Sequence, residues 1–460
     1  MSARRRVVVV GGVAAGMSAA SRARRLDPDL DITVYERSHF CSYSACGLPY
    51  HVAGLIPDHE ALVVRTPEEF AADGVTVNVH HEVMAINVVE RTLRVRNMAG
   101  GRSRTEPWDA LVIAAGARPA SSGIPGKSLP GVFTLRTIED AQAIRAWIAA
   151  RDCREAVVIG AGYIGLEMAD AFRARDLATT VVERADHVLP LVDPDVADDI
   201  AAELAAKGID VVCGVTVDAI AGKSRVQRVL AGGASIAADI VVIGVGVRPD
   251  TTLAAAARLP LGPDDGIVVD EGMRTGVDGV WAAGDCCQTR HLLHGGPSYV
   301  PLGTTANKQG RVAGANVAGG DERFAGVLGT AVVKVCELEV GRTGLGEQEA
   351  ANAGFDVVSA SVTHLSRAGY YPGHEQLRVK LLAERGSGRL LGGQIVGREG
   401  VAKRVDVIAA ALHAGATAAE LEGYDLSYAP PFAPVWDPVL IAARKTAEAA
   451  TARARLREAV

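Results

Sequence analysis

The chain has 460 residues, and its 54 acidic residues against 48 basic ones give a formal net charge of −6. This length predicts about three domains, and the negative charge without a long basic run argues against nucleic acid as the main partner. No apolar stretch approaches the roughly 18 residues that cross a bilayer, and the seven cysteines lack disulfide-framework spacing. We therefore predict a cytoplasmic protein with no membrane segment and mostly free thiols.

The first signal along the chain is a strand, a glycine-rich turn, a helix and a second strand. A valine run at 7–10 leads into GGVAAG at 11–16, and the second strand covers 31–36. In a dinucleotide fold the pyrophosphate lies on the helix N-terminus, and a carboxylate about 20 residues further on binds a ribose. Val13 replaces the middle glycine of G-x-G-x-x-G, but Glu36 stands at the required place. The residues predicted to hold this nucleotide are Gly11, Val13, Ala14, Ala15, Gly16, Glu36 and Arg37.

The same pattern recurs about 150 residues later, which indicates a second nucleotide-binding unit. A strand at 156–160 leads into GAGYIG at 160–165, a full match to the motif, and a second strand ends in Glu183. An acidic residue there favours the ribose 2′-hydroxyl of NADH, although Arg184 and His187 follow it and leave NADPH open. The residues predicted to hold this nucleotide are Gly160, Gly162, Tyr163, Ile164, Gly165 and Glu183.

Later segments predict the rest of the architecture. Buried strands are expected at 111–114, 238–249 and 279–285, alternating strands at 329–341 and 376–384, and helices at 401–415 and 438–460. Strands followed by helices are typical of an α+β unit. The sequence thus predicts an α/β protein with two Rossmann-like dinucleotide-binding domains and a C-terminal α+β domain.

Two dinucleotide sites in one chain suggest hydride transfer between a mobile nicotinamide and a tightly held flavin. Cys46 lies directly after the first unit, in CSYSACGLPY at 41–50. A thiolate near a flavin and a helix terminus can attack a disulfide sulfur. The alternative for Cys46 is a buried structural cysteine.

The sequence resembles the coenzyme A-disulfide reductase branch of the pyridine nucleotide-disulfide oxidoreductases, which includes NADH-dependent persulfide reductases. The segments GGVAAGMSAASRARRL, SACGLPY, GAGYIGLE, WAAGD, YYPG and SYAPPF carry the resemblance in order along essentially the whole chain. It implies bound FAD, hydride from NAD(P)H and one cycling cysteine that forms a mixed disulfide with coenzyme A. It also implies a homodimer in which the C-terminal domain of one subunit completes the active site of the other.

The resemblance also assigns domains and residues. It implies a discontinuous FAD-binding domain at 1–115 and 246–325, an NAD(P)H-binding domain at 116–245 and a dimerisation domain at 326–460. Catalytic roles fall on Cys46, Tyr428 and Tyr370, the last preferred over Tyr371 from its spacing to Tyr428. Further cofactor contacts are implied for Ala115, Gly116, Glu167, Gly246, Gly284, Asp285, Thr304 and Ala306. The residues that match coenzyme A contacts are Arg22, Arg25, Ser42 and Asn307.

Three departures from the family pattern leave alternatives open. Ala45 stands where coenzyme A-disulfide reductases often have Asn, which puts the acceptor in doubt. Cys41 has the C-x4-C spacing of two-cysteine reductases, so it is either a resolving thiol for Cys46 or a bystander. Ala14 stands where related NADH peroxidases carry His, which counts against peroxide chemistry.

Two other functions remain as alternatives to the reductase. One is an NADH oxidase in which reduced flavin meets oxygen and Cys46 cycles through sulfenic acid. The other is a non-catalytic flavin redox sensor. No metal site is predicted, because the adjacent Cys286 and Cys287 lack further ligands. The His80–His81 pair and the histidines of 291–296 are interpreted as surface residues.

Overall fold

The first nucleotide-type unit is built on a five-stranded parallel sheet. The computed structural model describes residues 4–120 and 123–452 of the chain. The strands, from one edge of this sheet to the other, are Val280–Ala282, Ala110–Ile113, Arg6–Val10, Asp31–Tyr35 and Val75–Asn78. The central strand is a run of four valines because both of its faces are covered. Its edge strand comes from far along the chain, so the unit is discontinuous in sequence.

A second five-stranded parallel sheet repeats this arrangement. Its strands, in spatial order, are Ile209–Val212, Ala178–Val182, Glu155–Ile159, Ile240–Ile243 and Val132–Phe133. The segment predicted as one strand over 238–249 is two strands, because Gly244 and Gly246 interrupt it before Val247–Pro249. In both sheets the glycine-rich turn follows the central strand, where parallel α/β sheets bind their ligands.

Helices flank the two sheets. The longer ones are Ala14–Leu26, Ile138–Ala150, Tyr163–Arg173, Pro194–Ala206 and Gly303–Val317. Short helices are Leu48–Ala53, Pro67–Ala72 and Thr252–Ala256, and single 3₁₀ turns are Ala45–Gly47 and His59–Leu62. The helix Ala14–Leu26 crosses Gly303–Val317 closely, because Gly310 and Gly314 leave no room for a side chain between them.

Smaller antiparallel pieces complete the two units. One three-stranded sheet consists of His81–Asn87, Thr92–Asn97 and Ser103–Pro107, and another of Val217–Ala221, Arg228–Ala231 and Ala234–Ala237. Two-strand ribbons pair Ala117–Pro119 with Val247–Pro249 and Thr289–Arg290 with Pro297–Ser298. The first ribbon joins the two places where the chain passes between the nucleotide-type units.

The C-terminal part is an antiparallel sheet with helices, which confirms the predicted α+β unit. Its strands, in spatial order, are Ala331–Val335, Leu338–Gly344, Leu390–Gly397, Gln376–Glu384 and Val357–Leu365. Its helices are Glu347–Asn352, Val401–His413, Ala418–Glu422 and Pro438–Thr451. The predicted strand over 329–341 is instead a hairpin, which turns where Cys336 has φ of +54°. The end of the helix predicted to 460 lies outside the described residues from 453 onward.

The predicted fold class is confirmed as a whole, with two Rossmann-like units and a C-terminal α+β unit. The strands of the three large sheets fall within the three ranges given above, but the domain boundaries themselves stay a prediction. Within the described ranges, no helix combines the length and the apolar character needed to cross a lipid bilayer.

Candidate functional site

Close backbone approaches shape the first glycine-rich turn. Gly11 has φ of +103°, and a Cβ there would lie 2.1 Å from the carbonyl oxygen of Ala114. A Cβ at Gly16 would lie 1.8 Å from the carbonyl oxygen of Gly11, so only glycine lets the helix start this close to the strand. Val13, which departs from the motif, is the N-cap residue of the helix Ala14–Leu26.

The carboxylate of Glu36 is fixed against this turn. Its Oε2 accepts the backbone N–H of Gly12 at 2.7 Å, and its Oε1 accepts the N–H and the hydroxyl of Ser38, both at 2.9 Å. A carboxylate offers about four acceptor positions, so one remains for a ligand hydroxyl. Arg37 points away into solvent and lies 3.9 Å from Asp250.

The second turn repeats these contacts. Glu183 Oε2 accepts the N–H of Ala161 at 2.6 Å, and Oε1 accepts the N–H of Ala185 at 2.8 Å. A Cβ at Gly165 would lie 1.9 Å from the carbonyl oxygen of Gly160, which reproduces the glycine contact of the first turn. Glu183 therefore keeps about two acceptor positions free, enough for both hydroxyls of a ribose.

The helices after the two glycine-rich turns and the helix Gly303–Val317 have N-termini that are open to anionic or polar ligands. The helices that follow Val13, Gly162 and Leu302 begin without a capping side chain and without an acidic residue in the first turn. At Gly162 a Cβ would meet no atom within 4 Å, so the approach to that helix end is clear. Free N–H groups and the positive helix end favour phosphate, so both turns fit dinucleotides.

The structure brings several predicted contacts together between the first turn and the helix Gly303–Val317. Gly284 has φ of +85°, and a Cβ there would lie 2.8 Å from Cβ of Ala15 and 3.5 Å from Cβ of Ala306. The N–H of Gly284 donates to Oε1 of the buried Gln309 at 2.8 Å. Sequence reasoning missed Gln309, although it lies on the same helix face as Ala306. Thr304, the second residue of that helix, is exposed.

Asp285 forms an ion pair that the sequence did not predict. Its Oδ2 accepts a hydrogen bond from Arg136 at 2.8 Å, and Arg136 Nε donates to the carbonyl oxygen of Ala117 at 3.2 Å. Arg136 comes from the loop before the helix Ile138–Ala150, about 150 residues away in sequence, and no motif marks it. The pair joins the loop before that helix to the predicted flavin contact.

The remaining predicted cofactor residues lie at the crossing between the two units. Gly116 and Gly246 have φ of +71° and +95°, which explains glycine at both positions. The carbonyl oxygen of Gly116 accepts the N–H of Asp250, and that of Gly246 accepts the N–H of Ala120. Ala115 is half-buried beside Gly116.

Cys46 is the accessible thiol of the chain. All seven cysteines are free, and Cys46 is the one among them that is an exposed residue. It lies in the 3₁₀ turn Ala45–Gly47, directly before the helix Leu48–Ala53. Loss of hydration around the sulfur raises the pKa of the thiol, and the charges of Glu167 and Asp285 raise it further, whereas Arg136 lowers it.

Cys41 has a different environment. It is 1% exposed, and its Sγ lies 3.7 Å from the carbonyl oxygen of Arg65. Burial, with the charge of Glu36, raises the pKa of this thiol to about 11. A buried, protonated thiol is a poor nucleophile.

Glu167, on the helix Tyr163–Arg173, is one of the charges that act on Cys46. Burial raises the pKa of its carboxyl to about 7, although the hydroxyl of Tyr50 donates to Oε1 at 3.3 Å and opposes the rise. Sequence reasoning missed Tyr50, and the only available signal was its place one helical turn after Cys46. Tyr163 and Ile164 begin the same helix and are half-buried, and burial raises the pKa of Tyr163.

The two predicted catalytic tyrosines meet on the surface of the C-terminal unit. The hydroxyls of Tyr370 and Tyr428 lie 3.4 Å apart, and the residues are 77% and 45% exposed. The hydrogen bond between them raises the pKa of Tyr428. Tyr371 instead lies beneath the guanidinium of Arg367.

The four residues predicted to bind coenzyme A differ in exposure and in the partners that they contact. Arg22 is ion-paired with Glu322, whereas Arg25 is exposed and donates to the carbonyl oxygen of Ser21. Ser42 is half-buried with φ of +47°. Asn307 is exposed, and its Oδ1 accepts the hydroxyl of Ser18 at 2.7 Å.

One interpretation from the sequence is wrong. His291 is 5% exposed rather than a surface residue, and burial beside His294 lowers its pKa to about 4. Cys286 and Cys287 are also buried, with their Sγ atoms 3.8 Å apart. Among the residues that the structure covers, no group of three or more His, Cys, Asp or Glu is arranged to hold a metal ion.

Residues 5–310 match the family described as pyridine nucleotide-disulphide oxidoreductase, and residues 330–438 match the dimerisation domain of that family. The NAD(P)H coenzyme A polysulfide/persulfide reductase of Pyrococcus horikoshii is 40% identical over 96% of this chain and 98% of its own. The NADH oxidase of Methanocaldococcus jannaschii is 36% identical over 95% and 98% of the two chains.

A further relative is a coenzyme A disulfide reductase of Staphylococcus aureus, 33% identical over 93% of this chain and 96% of its own. Among solved structures, reduced Bacillus anthracis CoADR-RHD superposes with a TM-score of 0.95 and 35% identity. That match covers 97% of this chain and 81% of the other.

Proposed function

The chain belongs to the pyridine nucleotide-disulphide oxidoreductases, and from this we propose that it reduces a coenzyme A-type disulfide or persulfide with NADH through Cys46. As a member of this family it is an oxidoreductase that uses FAD and NAD(P)H. The observation that carries the proposal is the place of Cys46, an exposed residue in the turn directly before the helix Leu48–Ala53, where the charges of Glu167, Asp285 and Arg136 act on its thiol. The relatives named for coenzyme A persulfide and disulfide reduction support the acceptor class.

The chain's own residues divide the work in this proposal. When bound, FAD supplies the two-electron relay between the pyridine nucleotide and the cysteine disulfide. The Cys46 thiolate attacks a substrate sulfur, a mixed disulfide forms, and the released thiolate takes a proton. Arg136 stabilises negative charge near Cys46 and holds Asp285 in place. Cys41 takes no part, because its thiol is buried and faces Arg65.

The coenzyme A arm of the substrate is proposed to meet the helix Ala14–Leu26. Arg25 is the more accessible guanidinium there, because it is exposed whereas Arg22 is half-buried and paired with Glu322. A planar guanidinium suits the phosphates of coenzyme A. Ser42 and Asn307 are proposed to complete this contact.

We also propose that a second subunit completes each active site. Tyr370 and Tyr428 form a hydrogen-bonded pair that is exposed on the C-terminal unit, and a phenol there can protonate a leaving thiolate. The neighbouring Phe432 and Trp436 are 79% and 55% exposed, which is typical of a surface that a protein partner covers. The matched dimerisation domain supports a homodimer.

The NADH oxidase remains a second candidate, because one relative with 36% identity carries that name. In that case Cys46 would cycle through sulfenic acid with oxygen as the acceptor. A reducing compartment such as the cytoplasm is proposed for either function, since all seven cysteines are free.

The test is NADH oxidation without oxygen, with coenzyme A disulfide or coenzyme A persulfide as the sole acceptor. We expect rapid turnover by the native enzyme, and Cys46→Ser should lower it by more than about a thousand-fold because the covalent nucleophile is lost. Cys153→Ser is the matched control, since Cys153 lies before a strand of the second sheet and should leave turnover unchanged.

Two results would contradict this function. Turnover that needs oxygen and ignores both sulfur acceptors would establish the oxidase. Full activity of Cys46→Ser, with FAD retained, would remove Cys46 from either mechanism.

A further inference from the structure

A cleft on the outer side of Glu167 connects this carboxyl to the surface. Its volume is about 350 Å³, and its lining includes Tyr50, Gly54, Glu167, Asp170 and Lys334. Tyr50 and Glu167 form its inner part through their 3.3 Å hydrogen bond. Lys334 lies 3.9 Å from Asp170 and is 54% exposed, so the cleft opens to water at that side.

The cleft holds one pair of acidic groups on one helix face. Glu167 and Asp170 are three residues apart on the helix Tyr163–Arg173, so their side chains are neighbours. Asp170 is balanced by Lys334, whereas the described contacts of Glu167 include no cation. The titratable groups on the elements packed around this helix include Cys46, Tyr50, His51, Lys334 and Cys336, with Arg136 and Asp285 next to Cys46 and Arg145 on His51.

The neutral hydroxyl of Tyr50, which donates a hydrogen bond to Glu167, is therefore the main group that stabilises the ionised carboxylate of Glu167. Burial and the nearby Glu167 charge raise the pKa of Tyr50 to about 12, so the phenol stays protonated and donates. A charge on Cys46 adds a second negative group to the same neighbourhood, because Cys46 lies one helical turn before Tyr50, whose hydroxyl donates to Glu167 at 3.3 Å. Two like charges at short range disfavour each other, so one of the groups gains a proton.

We propose that Glu167, held by Tyr50 and open to solvent through this cleft, takes up a proton when Cys46 becomes a thiolate. The inference rests on the proposed reductase function and adds a proton-uptake site to it. The hydride from the pyridine nucleotide brings two electrons and one proton. The two electrons break the S–S bond between Cys46 and the carrier and leave two thiolates, and the proton goes to the carrier thiolate, which departs as a thiol. Cys46 stays ionised, and the Glu167 carboxylate binds a second proton from water in the cleft.

Tyr50 is a positioning residue in this proposal, since it acts through Glu167. Its hydroxyl orients the carboxylate and keeps it ionised until charge develops on Cys46. Protonation of Glu167 then removes one negative charge next to the thiolate, which favours ionised Cys46 for the next attack.

The first experiment measures alkylation of Cys46 by iodoacetamide against pH, in the reduced FAD-containing enzyme, by mass spectrometry. Glu167→Gln keeps the shape but not the charge, so the midpoint of alkylation should fall by about one pH unit. Below the midpoint this corresponds to about ten-fold more thiolate at a given pH. Glu271→Gln, on the surface between Arg290 and Arg323, is the matched control and should superpose on the native enzyme.

The second experiment counts protons with a pH-indicator dye when NADH, without oxygen, reduces enzyme in which Cys46 has first been converted to a mixed disulfide with coenzyme A. Just above pH 7, close to the pKa of about 7 for Glu167, the native enzyme should take up more protons than Glu167→Gln. Cys46→Ser should lack the same extra uptake. Tyr50→Phe removes a donor to the carboxylate, so the extra uptake should move to higher pH, while Tyr424→Phe should not move it.

Identical alkylation midpoints and identical proton counts in the native enzyme and Glu167→Gln, with FAD retained in both, would overturn the proposal. The alkylation readout needs no sulfur acceptor. If the midpoint shifts but coenzyme A disulfide and persulfide are not reduced, the proton site stands and the proposed acceptor fails.

Discussion

Single residues in the two glycine-rich turns make the same hydrogen bond. In each, the carboxylate that follows the second strand is fixed by a backbone N–H of the turn, from Gly12 to Glu36 and from Ala161 to Glu183. A carboxylate held in place needs little reordering when it accepts ribose hydroxyls, so part of the entropic cost of binding is met in advance. The glycine motif and the acidic residue are thus one hydrogen-bonded unit.

Glu183 should set the choice between NADH and NADPH. In Glu183→Ala, kcat/KM with NADH should fall about ten- to a hundred-fold, because hydrogen bonds to a charged group are lost. The same parameter with NADPH should rise, since the repulsion of the 2′-phosphate is removed while Arg184 and His187 remain. Steady-state kinetics with both nucleotides measures this, with Glu155→Ala at the opposite end of the central strand as the control. An unchanged ratio of the two kcat/KM values would contradict the assignment.

The sequence predicted the site residues that belong to motifs. It did not predict the residues that enter the site only through tertiary contacts. Glu36 and Glu183 were predictable because their spacing from the glycines is fixed by the β-α-β geometry. Arg136, Gln309 and Tyr50 were not, because each reaches its partner from another element. Such contacts join residues that are far apart in the chain and have no local motif, so they were not predicted from a single sequence.

At the scale of elements, the close crossing of two helices supports the first nucleotide site. The helices Ala14–Leu26 and Gly303–Val317 meet where Cβ atoms at Gly310 and Gly314 would each lie 2.2 Å from a carbonyl oxygen, of Ala15 and Ala19 respectively. Such contact is feasible only with glycine. The crossing point at Ala15 lies in the first turn of the helix Ala14–Leu26, whose N-terminus has no capping side chain.

Gly310→Ala should therefore destabilise the protein despite the higher helix propensity of alanine. The propensity gain is about 1 kcal/mol, but forcing a methyl group against rigid backbone costs about 1–3 kcal/mol or more. We expect a lower Tm and weaker retention of FAD, measured by thermal unfolding and by flavin absorbance after dialysis. Gly303→Ala, in the same helix with open space around it, is the control and should keep the native Tm. A Tm of Gly310→Ala at or above the native value would show that the helices can separate without cost.

Elements were predictable where two signals agreed. Both β-α-β units were found because a buried strand, a glycine turn and a helix occur in order. The sequence predicts one strand where the structure has a hairpin of Ala331–Val335 and Leu338–Gly344. The turn at Cys336 contains neither glycine nor proline, so no turn signal marks it. The left-handed backbone there is set by the surrounding sheet and not by a residue type that favours it.

At the scale of the whole molecule, a buried lysine ties the second nucleotide unit to the C-terminal sheet. Lys380 is 5% exposed and contacts Asp193, Asp195 and Glu347 at 3.0, 2.7 and 3.1 Å. Arg378 reaches Asp199 from the same strand. Charges buried this way are costly to separate, so these two parts of one subunit are held together as a unit. The exposed tyrosine pair of the C-terminal unit is therefore expected to keep its place within its own subunit, as the proposed completion of the site by a second subunit requires.

This arrangement predicts complementation between two inactive subunits. Cys46→Ser and Tyr428→Phe should each abolish most disulfide reduction as homodimers. In a heterodimer purified through two different tags, the native Cys46 of one subunit would face the native Tyr428 of the other. One of the two sites is then intact, so about half of the native activity per dimer should return. If both groups instead acted within one subunit, every site in the heterodimer would lack one of them, and activity would stay at the level of the two mutants. The mixed dimer of Cys46→Ser with native subunits calibrates the value expected for one working site.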